Sequence, residues 1–268
     1  RGGVSALTAI ILAAGRGSRL HPYTESCPKC LTELGDATLL DRQLETLREC
    51  GVQDVVIATG YLADMLERPG IRCIDNPLWA ETNMVESLFR AEGAFTGDII
   101  VSYSDIVYEP RVLQALLDST TDISVVVDRR WRALWERRFA EPLSDAETLR
   151  IDDRGDIIEI GQPPQSFDEI EAQYIGLMRF RGDGVTALRK GYASMAEADR
   201  PWKKKRPAER AYMTDLFSEL ILLGHRVQAV PVDAGWLEVD TVRDYELYAS
   251  MFADGTITEF FDPTDNSL

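Results

Sequence analysis

The chain has 268 residues, of which 45% are hydrophobic, and this is enough to bury a sizeable core in one domain. Lys and Arg number 29 against 45 Asp and Glu, which gives a formal net charge of −16 at pH 7. So acidic a chain repels nucleic acid and anionic membrane surfaces, and we exclude both as partners. The sequence shows no signal peptide and no long apolar span, so we expect a cytoplasmic protein.

The first predicted element is a buried strand, Thr8 to Ala13, which leads directly into a glycine loop. The loop reads Gly15-Arg16-Gly17-Ser18-Arg19-Leu20, and Pro28-Lys29-Cys30-Leu31 follows it. Glycines let backbone N–H groups approach a polyphosphate, and the arginines and Lys29 supply positive charge. A dinucleotide fingerprint needs glycine where Leu20 stands, and a P-loop needs Gly-Lys-Ser/Thr, which is absent from the loop. The segment therefore predicts a nucleoside triphosphate site of a third kind.

Strands and helices alternate through the first half of the chain. Apolar periodicity predicts strands at Asp54 to Ala58, Ile71 to Asp75, Asp98 to Ser102 and Ile123 to Asp128, and helices around Leu40 to Leu47, Val85 to Phe89 and Val112 to Leu117. Repeated β-α-β order indicates a mainly parallel sheet with helices on both faces.

The second half begins with a predicted β-rich extension. Thr148 to Asp152 and Ile157 to Ile160 flank the turn Arg154-Gly155 and predict a hairpin, and Tyr174 to Phe180 predicts another strand. We expect these strands to extend the sheet or to cover its open edge. The remaining elements are predicted as a helix at Tyr212 to Leu223, a strand at Val227 to Val232 and a closing helix at Val242 to Phe252.

Acidic side chains follow two of the predicted strands. Ligands of open α/β sheets bind beyond the carboxyl ends of the strands, where Asp105 stands. Alternation places Glu238 and Asp240 on one side of an extended segment just before the last helix. Two interpretations of Asp240 stay open: a magnesium ligand, or the N-cap of that helix.

The glycine loop and Pro28-Lys29-Cys30-Leu31 together resemble the signature of the nucleotidyltransferases that activate sugar phosphates and small phosphorylated alcohols. The resemblance implies a Rossmann-like nucleotidyltransferase fold with Mg²⁺ as cofactor. It implies catalytic roles for Lys29 and Arg19, and metal binding by Asp105 and Asp240. The predicted nucleotide-binding residues are Leu12, Ala13, Ala14, Gly15, Gly17, Ser18, Asn83, Ser87 and Ser104.

The acceptor side is predicted from the stretch that follows the strand ending at Asp128. Arg129 or Arg130 can clamp a phosphonate group. Trp131 and Trp135, four residues apart, either form an aromatic wall for a choline-like cation or pack against the sheet. The predicted acceptor-binding residues are Arg129, Arg130, Trp131, Tyr174 and Glu238.

The stretches from Arg137 to Glu147 and from Gln173 to Leu177 look more like cytidylyltransferases of small phosphonates or phosphocholine than like sugar-phosphate enzymes. The resemblance implies transfer of CMP from CTP to 2-hydroxyethylphosphonate or 2-aminoethylphosphonate, with release of pyrophosphate, as in phosphonate antibiotic biosynthesis. Phosphocholine and sugar 1-phosphates are the alternative acceptors. No general base is needed, because the acceptor is already an anion at neutral pH.

Two functions from other classes stay open on the sequence. A glycosyltransferase usually carries Asp-x-Asp after a strand, where this chain reads Tyr103-Ser104-Asp105. A silent nucleotide-binding module would keep the glycine loop and lose the cations or acids around it. Cys27 and Cys30 have the C-x-x-C spacing of a zinc or redox site, but reduced cytosolic thiols are the simpler interpretation.

We predict one domain, residues 1–268, with an acceptor-pocket insertion at about 129–210. Because the chain begins at Arg1 rather than at methionine, a trimmed chain and one domain of a longer fusion polypeptide both stay open, and a fused or partner biosynthetic enzyme fits the second. The run Lys203 to Arg206 is interpreted as a solvated loop or as a loop that closes over anionic ligands. The oligomeric state is left open.

Overall fold

The computed structural model describes residues 6–197 and 207–264, so the predicted loop at 203–206 lies outside the described residues. The strands are β1 Leu7–Ala13, β2 Glu33–Leu34, β3 Ala37–Thr38, β4 Asp54–Thr59, β5 Arg72–Asp75, β6 Asp98–Tyr103, β7 Ile106–Tyr108, β8 Ile123–Asp128, β9 Leu149–Ile151, β10 Ile157–Ile160, β11 Gln173–Phe180, β12 Gln228–Val232 and β13 Trp236–Glu238. The helices are α1 Leu39–Glu49, α2 Met84–Arg90, α3 Pro110–Asp118, α4 Trp131–Arg138, α5 Asp183–Met195, α6 Met213–Leu222 and α7 Val242–Asp254.

Seven strands form the central sheet in the order β12-β8-β11-β6-β1-β4-β5. β1 pairs in parallel with β4 and β6, β4 pairs in parallel with β5, and β12 pairs in parallel with β8. β11 is antiparallel to both of its neighbours, β6 and β8. The predicted fold, a mainly parallel Rossmann-like sheet with a small β-rich extension, is confirmed.

Of the two predicted places for β11, it joins the sheet rather than covering its edge, and it lies between β6 and β8. Its register with β8 shifts between Tyr174 and Met178, and Gly176 in that interval has φ +87°. The hairpin β9-β10 does meet the sheet edge, since Ile157 N donates to Val227 O (2.7 Å) beside β12. Helix α5 is an element that our sequence analysis did not predict.

Helices cover both faces of the sheet, because each central strand is apolar on both sides. Within β1, Ile11 packs into one core and Ile10 into the other. Helices α1, α3, α4 and α7 contribute buried side chains to the first core, and α2, α5 and α6 contribute to the second. Among the helices of the described residues, none combines the length and the apolar character needed to cross a membrane.

The carboxyl ends of β1, β4, β6 and β8 meet at one edge of the sheet. A two-stranded ladder stands beyond this edge, in which β13 is antiparallel to β7 and pairs Glu238 with Ile106. Val239 N continues the ladder by donating to Asp105 O (2.8 Å). Two segments far apart in the chain, one after β6 and one before α7, therefore deliver their acidic residues to the same place.

Candidate active site

The glycine loop leaves β1 through a left-handed residue and is closed by a short helical turn. Gly17 has φ +67°, and a Cβ there would lie 2.9 Å from Cβ of Lys29, so only glycine fits. The Thr24 hydroxyl donates to Gly17 O (2.9 Å) and fixes the loop from behind. Pro28 then begins the 3-10 turn Lys29–Leu31, so Lys29 extends from a fixed backbone beside the loop.

Lys29, Asp105 and Asp240 form one cluster. Lys29 Nζ lies 2.7 Å from Asp105 Oδ2 and 2.5 Å from Asp240 Oδ1. Arg19, which is largely exposed, reaches the other oxygen of Asp240 at 2.7 Å. The structure therefore brings together the two predicted catalytic cations and the two predicted metal ligands.

Lys29 and Asp240 each shift the pKa of the other toward its charged form. Burial alone would lower the pKa of Lys29, but Asp105 and Asp240 outweigh burial and raise it above its usual value. Burial alone would raise the pKa of Asp240, yet Lys29 and then Arg19 lower it. The cluster thus places the Lys29 ammonium between the side chains of Asp105 and Asp240.

The second interpretation of Asp240, as a helix N-cap, is wrong. Thr241 is the N-cap of α7: its hydroxyl accepts from Asp244 N (3.1 Å), and the Asp244 side chain accepts from Thr241 N in return. Asp240 sits one residue earlier with both carboxylate oxygens on Lys29 and Arg19.

A pocket of about 140 Å³ opens beside the glycine loop, and we call it the glycine-loop pocket. Seven of the nine predicted nucleotide-binding residues line it: Leu12, Ala14, Gly15, Gly17, Asn83, Ser87 and Ser104. Ala13 instead packs its side chain into the core, and Ser18 begins an exposed 3-10 turn, so neither lines the pocket. Four further residues complete the wall and were not predicted from the sequence: Trp79, Thr82, Met84 and Tyr103.

Asn76 holds one side of the glycine-loop pocket in shape and was also missed. It is fully buried, and its amide donates to Thr82 Oγ1 (2.9 Å) and to Ser87 Oγ (3.0 Å). Asn83 caps α2, since its side chain accepts from Met84 N (2.8 Å). An asparagine just after β5 and a second before an apolar helix were the sequence signals for this wall.

A second pocket of about 280 Å³ adjoins the cluster on the side of β11 and β13, and we call it the acidic pocket. Tyr174 and Glu238, both predicted acceptor residues, line it, and so do Arg19 and Asp240. Tyr103 and Met84 line both pockets and therefore stand at their junction. The remaining residues of its wall are Trp135, Asp145, Glu147, Gln173, Ile175, Tyr212, Thr214 and Trp236.

Acidic side chains and aromatic rings line much of the acidic pocket. Asp145, Glu147 and Glu238 join Asp240 in its wall, against Arg19 as the lining cation. The Trp135 indole N–H donates to Asp145 Oδ2 (3.1 Å) and orients that carboxylate. Burial raises the pKa of Asp145 and raises that of Glu238 to about 8, while the Arg138 guanidinium opposes both rises. The acidic and aromatic groups of this wall can pair with a cation.

Three predicted acceptor residues do not reach the acidic pocket. Arg129 forms a two-pronged ion pair with Asp233 on the exposed surface, both bonds 3.0 Å. Arg130 is exposed at the start of α4, where its side chain lies outside the wall. Trp131 is buried in the core against Phe167, while Trp135, one turn later, supplies the aromatic wall. Helical spacing alone does not say which of two tryptophans faces a pocket.

The cluster of Lys29, Asp105 and Asp240 also fits a magnesium ion. Asp105 Oδ1 is buried and has no hydrogen-bond partner within the described part of the chain, so one hard oxygen is left for a cation. Residues 6–197 and 207–264 contain no group of three or more acidic, histidine or cysteine residues placed to hold a metal. Two carboxylates completed by phosphate oxygens and water are the set that Mg²⁺ prefers.

A wider groove of about 720 Å³ lies at the opposite edge of the sheet, around the amino end of β8 and the start of α5. It is larger than either pocket at the carboxyl edge. Its wall mixes charges of both signs, such as Asp183 and Lys190, and includes none of the predicted site residues. Chemistry and not volume therefore places the candidate site at the carboxyl edge.

Comparison with known proteins shows the family of this chain. Residues 9–159 match the family of MobA-like NTP transferase domains. The chain is 37% identical over 253 residues to the CTP:phosphoglutamine cytidylyltransferase of Campylobacter jejuni, covering 90% of this chain and 98% of that protein. It is 30% identical over 154 residues to the CMP-5'-(3-aminopropyl)phosphonate synthase of Streptomyces rubellomurinus, covering 54% of this chain and 24% of that protein.

The fold has solved counterparts. The CTP:phosphocholine cytidylyltransferase of Streptococcus pneumoniae superposes with a TM-score of 0.66 at 19% identity, covering 92% of this chain and 99% of that one. At this identity the likeness concerns the fold alone. The nucleotidyltransferase architecture predicted from the glycine loop is confirmed.

Proposed function

Since this chain belongs to the family of MobA-like NTP transferases, we propose that it transfers CMP from CTP to a small phosphorylated molecule that carries an ammonium group. Two sets of residues support the proposal. The cluster of Lys29, Asp105 and Asp240 adjoins a glycine-loop pocket suited to a nucleotide, and the acidic pocket beside it is suited to a cationic acceptor. The cytidylyltransferase named in Campylobacter jejuni supports CTP as the donor.

The reaction needs positioning and charge neutralisation more than acid or base catalysis. An anionic oxygen of the acceptor attacks the α-phosphorus of CTP; the new O–P bond forms as the bond to the β-phosphate oxygen breaks, and pyrophosphate leaves with that electron pair. Lys29 and Arg19 neutralise charge on the phosphates, and a fixed ammonium loses no energy to reorganisation during the step. The roles of Lys29 and Arg19 in this step are proposals.

Magnesium is part of the proposal, with Asp105 and Asp240 as its protein ligands. When bound there, the ion supplies charge stabilisation to phosphate oxygens of donor and acceptor. Lys29 would then pair with phosphate oxygens in place of Asp105 and Asp240, because it holds the same two carboxylates that the ion would take. The chain's own contribution is the ladder of β7 and β13, which holds both carboxylates in place.

The acidic wall is the observation that supports an acceptor with an ammonium group. Asp145 and Glu147 repel an acceptor that has only a phosphate, whereas an ammonium at its far end meets these carboxylates and the Trp135 ring. Phosphoglutamine, the substrate named for the Campylobacter jejuni protein, is the first candidate. 2-Aminoethylphosphonate is the second, supported by the relative named as an aminopropylphosphonate synthase. Phosphocholine fits the same wall.

The two other acceptors considered from the sequence fit less well. 2-Hydroxyethylphosphonate has a hydroxyl where 2-aminoethylphosphonate has an ammonium, and glucose 1-phosphate is neutral beyond its phosphate. Neither offers positive charge to Asp145 or Glu147. Of the two predicted phosphonate acceptors, we therefore propose 2-aminoethylphosphonate rather than 2-hydroxyethylphosphonate.

Pyrophosphate release with CTP and magnesium tests the proposal. Each acceptor would be assayed separately: phosphoglutamine, phosphocholine, glucose 1-phosphate, 2-aminoethylphosphonate and 2-hydroxyethylphosphonate. The last two form a matched pair that differs mainly in the charge of one group. We expect kcat/KM to favour the amine by about tenfold or more, equivalent to about 1.4 kcal/mol. Equal rates for the pair, or turnover with glucose 1-phosphate alone, would contradict the cationic acceptor.

A further inference from the structure

Arg138, the last residue of α4, is a buried cation that links the acidic pocket to the catalytic cluster. Its side chain is 1% exposed. Its Nε and one terminal nitrogen each lie 2.9 Å from an oxygen of Asp244, which is fully buried. The other terminal nitrogen lies 2.9 Å from Glu238 Oε2 in the wall of the acidic pocket. One guanidinium therefore serves two carboxylates from different elements.

Asp244 also accepts hydrogen bonds from the backbone of the catalytic cluster. Its Oδ2 accepts from Asp240 N (3.0 Å) and from Thr241 N (3.1 Å). Asp240 is the residue whose side chain binds Lys29 and Arg19. The chain of contacts from Arg138 thus ends at the peptide that sets the direction of the Asp240 carboxylate.

We propose that Arg138 is a positioning residue, which fixes Glu238 in the acceptor pocket and Asp240 in the catalytic cluster through one guanidinium. The proposal rests on the proposed function in treating the acidic pocket as the acceptor site. Arg138 touches no reacting atom and acts through its two partners. α4 belongs to the stretch predicted as the acceptor-pocket insertion, so this contact ties acceptor recognition to the catalytic carboxylate.

The chemistry of the guanidinium explains why arginine stands here. Its planar fork matches Asp244 with two parallel bonds and still presents a nitrogen to Glu238, which a lysine ammonium cannot do with the same geometry. The rings of Trp135 and Phe139 lie 5.0 and 4.8 Å from its central carbon and keep it in place. Removal of the cation alone would leave the buried Asp244 and the largely buried Glu238 without their positively charged partner.

Arg138→Lys and the matched control Arg137→Lys test the proposal. Arg137 is the preceding residue of the same helix, but it is half exposed and pairs with Glu259 on the surface. The first readout is amide hydrogen exchange without any ligand. We expect the peptide 236–244 to exchange about tenfold faster or more in Arg138→Lys, and to be unchanged in Arg137→Lys. Unchanged exchange of this peptide in Arg138→Lys would overturn the proposal.

The second readout is kinetic and separates positioning from mere stability. If Arg138→Lys only destabilised the fold, fewer molecules would be active. The apparent kcat would then fall, and the acceptor KM would stay unchanged. We expect Arg138→Lys to raise the acceptor KM about tenfold or more, and to leave the Kd for metal-free CTP within about twofold of the wild type. An acceptor KM equal to that of the wild type would overturn the proposal. If the wild-type protein uses no acceptor, the proposed function fails, and the exchange result still decides the role of Arg138.

A double substitution keeps the test valid if Arg138→Lys does not fold. Arg138→Met combined with Asp244→Leu replaces the buried ion pair by apolar side chains, an exchange that often preserves or increases stability. This protein should fold, exchange faster at Asp240 and Thr241, and show the same raised acceptor KM. A folded double variant with wild-type exchange and wild-type acceptor KM would contradict the positioning role.

Discussion

Lys29 Nζ lies 2.5 Å from Asp240 Oδ1, which joins the glycine loop near the start of the chain to a segment 211 residues later. The same nitrogen lies 2.7 Å from Asp105 Oδ2, so a single cation holds both proposed metal ligands. In the proposed magnesium site, a divalent cation would therefore compete with Lys29 for the same two carboxylates. The phosphates of a bound nucleotide would resolve this competition, because they would give Lys29 new anionic partners.

This competition predicts that metal binding depends on nucleotide. We expect Mn²⁺, followed by electron paramagnetic resonance, to bind about tenfold or more tightly with CTP than without it. Lys29→Met should bind Mn²⁺ more tightly than the wild type without nucleotide, because the competing ammonium is gone. Equal Mn²⁺ affinity for the wild-type protein with and without CTP would contradict the competition.

The same contact predicts a large loss of activity in Lys29→Met. We expect turnover with CTP and acceptor to fall about tenfold or more, since an ammonium on the phosphates is lost. The free energy of unfolding should also decrease, because Asp105 and Asp240 then face each other without a cation. Lys190→Met is the control, since Lys190 is exposed on α5 beside the distant groove. Wild-type turnover in Lys29→Met would refute the role of Lys29.

The two tryptophans of α4 provide a matched pair for the acceptor site. Trp135→Phe removes the donor to Asp145 and should raise the acceptor KM severalfold, with the Kd for CTP unchanged. Trp131→Phe should leave the acceptor KM unchanged and lower the free energy of unfolding by about 1–3 kcal/mol, because Trp131 fills the core. Similar effects of both substitutions on KM would remove Trp135 from the acceptor wall.

The charge of the acceptor wall is tested by Asp145→Asn. We expect the preference for 2-aminoethylphosphonate over 2-hydroxyethylphosphonate to fall about tenfold, because the ammonium loses a carboxylate partner. Asp233→Asn is the control, since Asp233 pairs with Arg129 at the surface. An unchanged preference in Asp145→Asn would show that the ammonium does not bind near Asp145.

A backbone prediction concerns the place where β11 bends beside Tyr103. A Cβ on Gly176, which has φ +87°, would lie 2.6 Å from the Tyr103 ring. Gly155 has a similar φ of +83° but no atom within 4 Å of such a Cβ. We expect Gly176→Ala to lower the free energy of unfolding by about 1–3 kcal/mol, and Gly155→Ala by less. Chemical denaturation measures the free energy of unfolding of both variants. Equal decreases would mean that the Tyr103 ring moves aside without an energetic cost.

Local sequence patterns predicted most of the residues that line the glycine-loop pocket. The loop from Gly15 to Leu20 and Lys29 lie close together in the chain, so their spacing alone indicates a phosphate site. Asp105 and Asp240 were predicted because acids that follow strands meet at one sheet edge. The meeting itself depends on the β7-β13 ladder, whose strands of three residues are too short to show a pattern.

The residues of the acidic pocket, the proposed acceptor site, come together through contacts that sequence spacing does not encode. Asp145 follows a 3-10 turn, and Trp135 reaches it from α4, an element that ends before that turn begins. The antiparallel insertion of β11 was missed, because strand direction is set by the connections and not by the strand's own residues. The single-domain organisation and the insertion at about 129–210 stay predictions.

The most direct measurement of the central claim is the identity and amount of the products formed from CTP, magnesium and an amine-bearing acceptor. Phosphorus NMR and mass spectrometry would follow the reaction with phosphoglutamine and 2-aminoethylphosphonate. We expect one CMP conjugate of the acceptor for each pyrophosphate released. Pyrophosphate without a conjugate, or a conjugate formed only with acceptors that have no ammonium group, would contradict it.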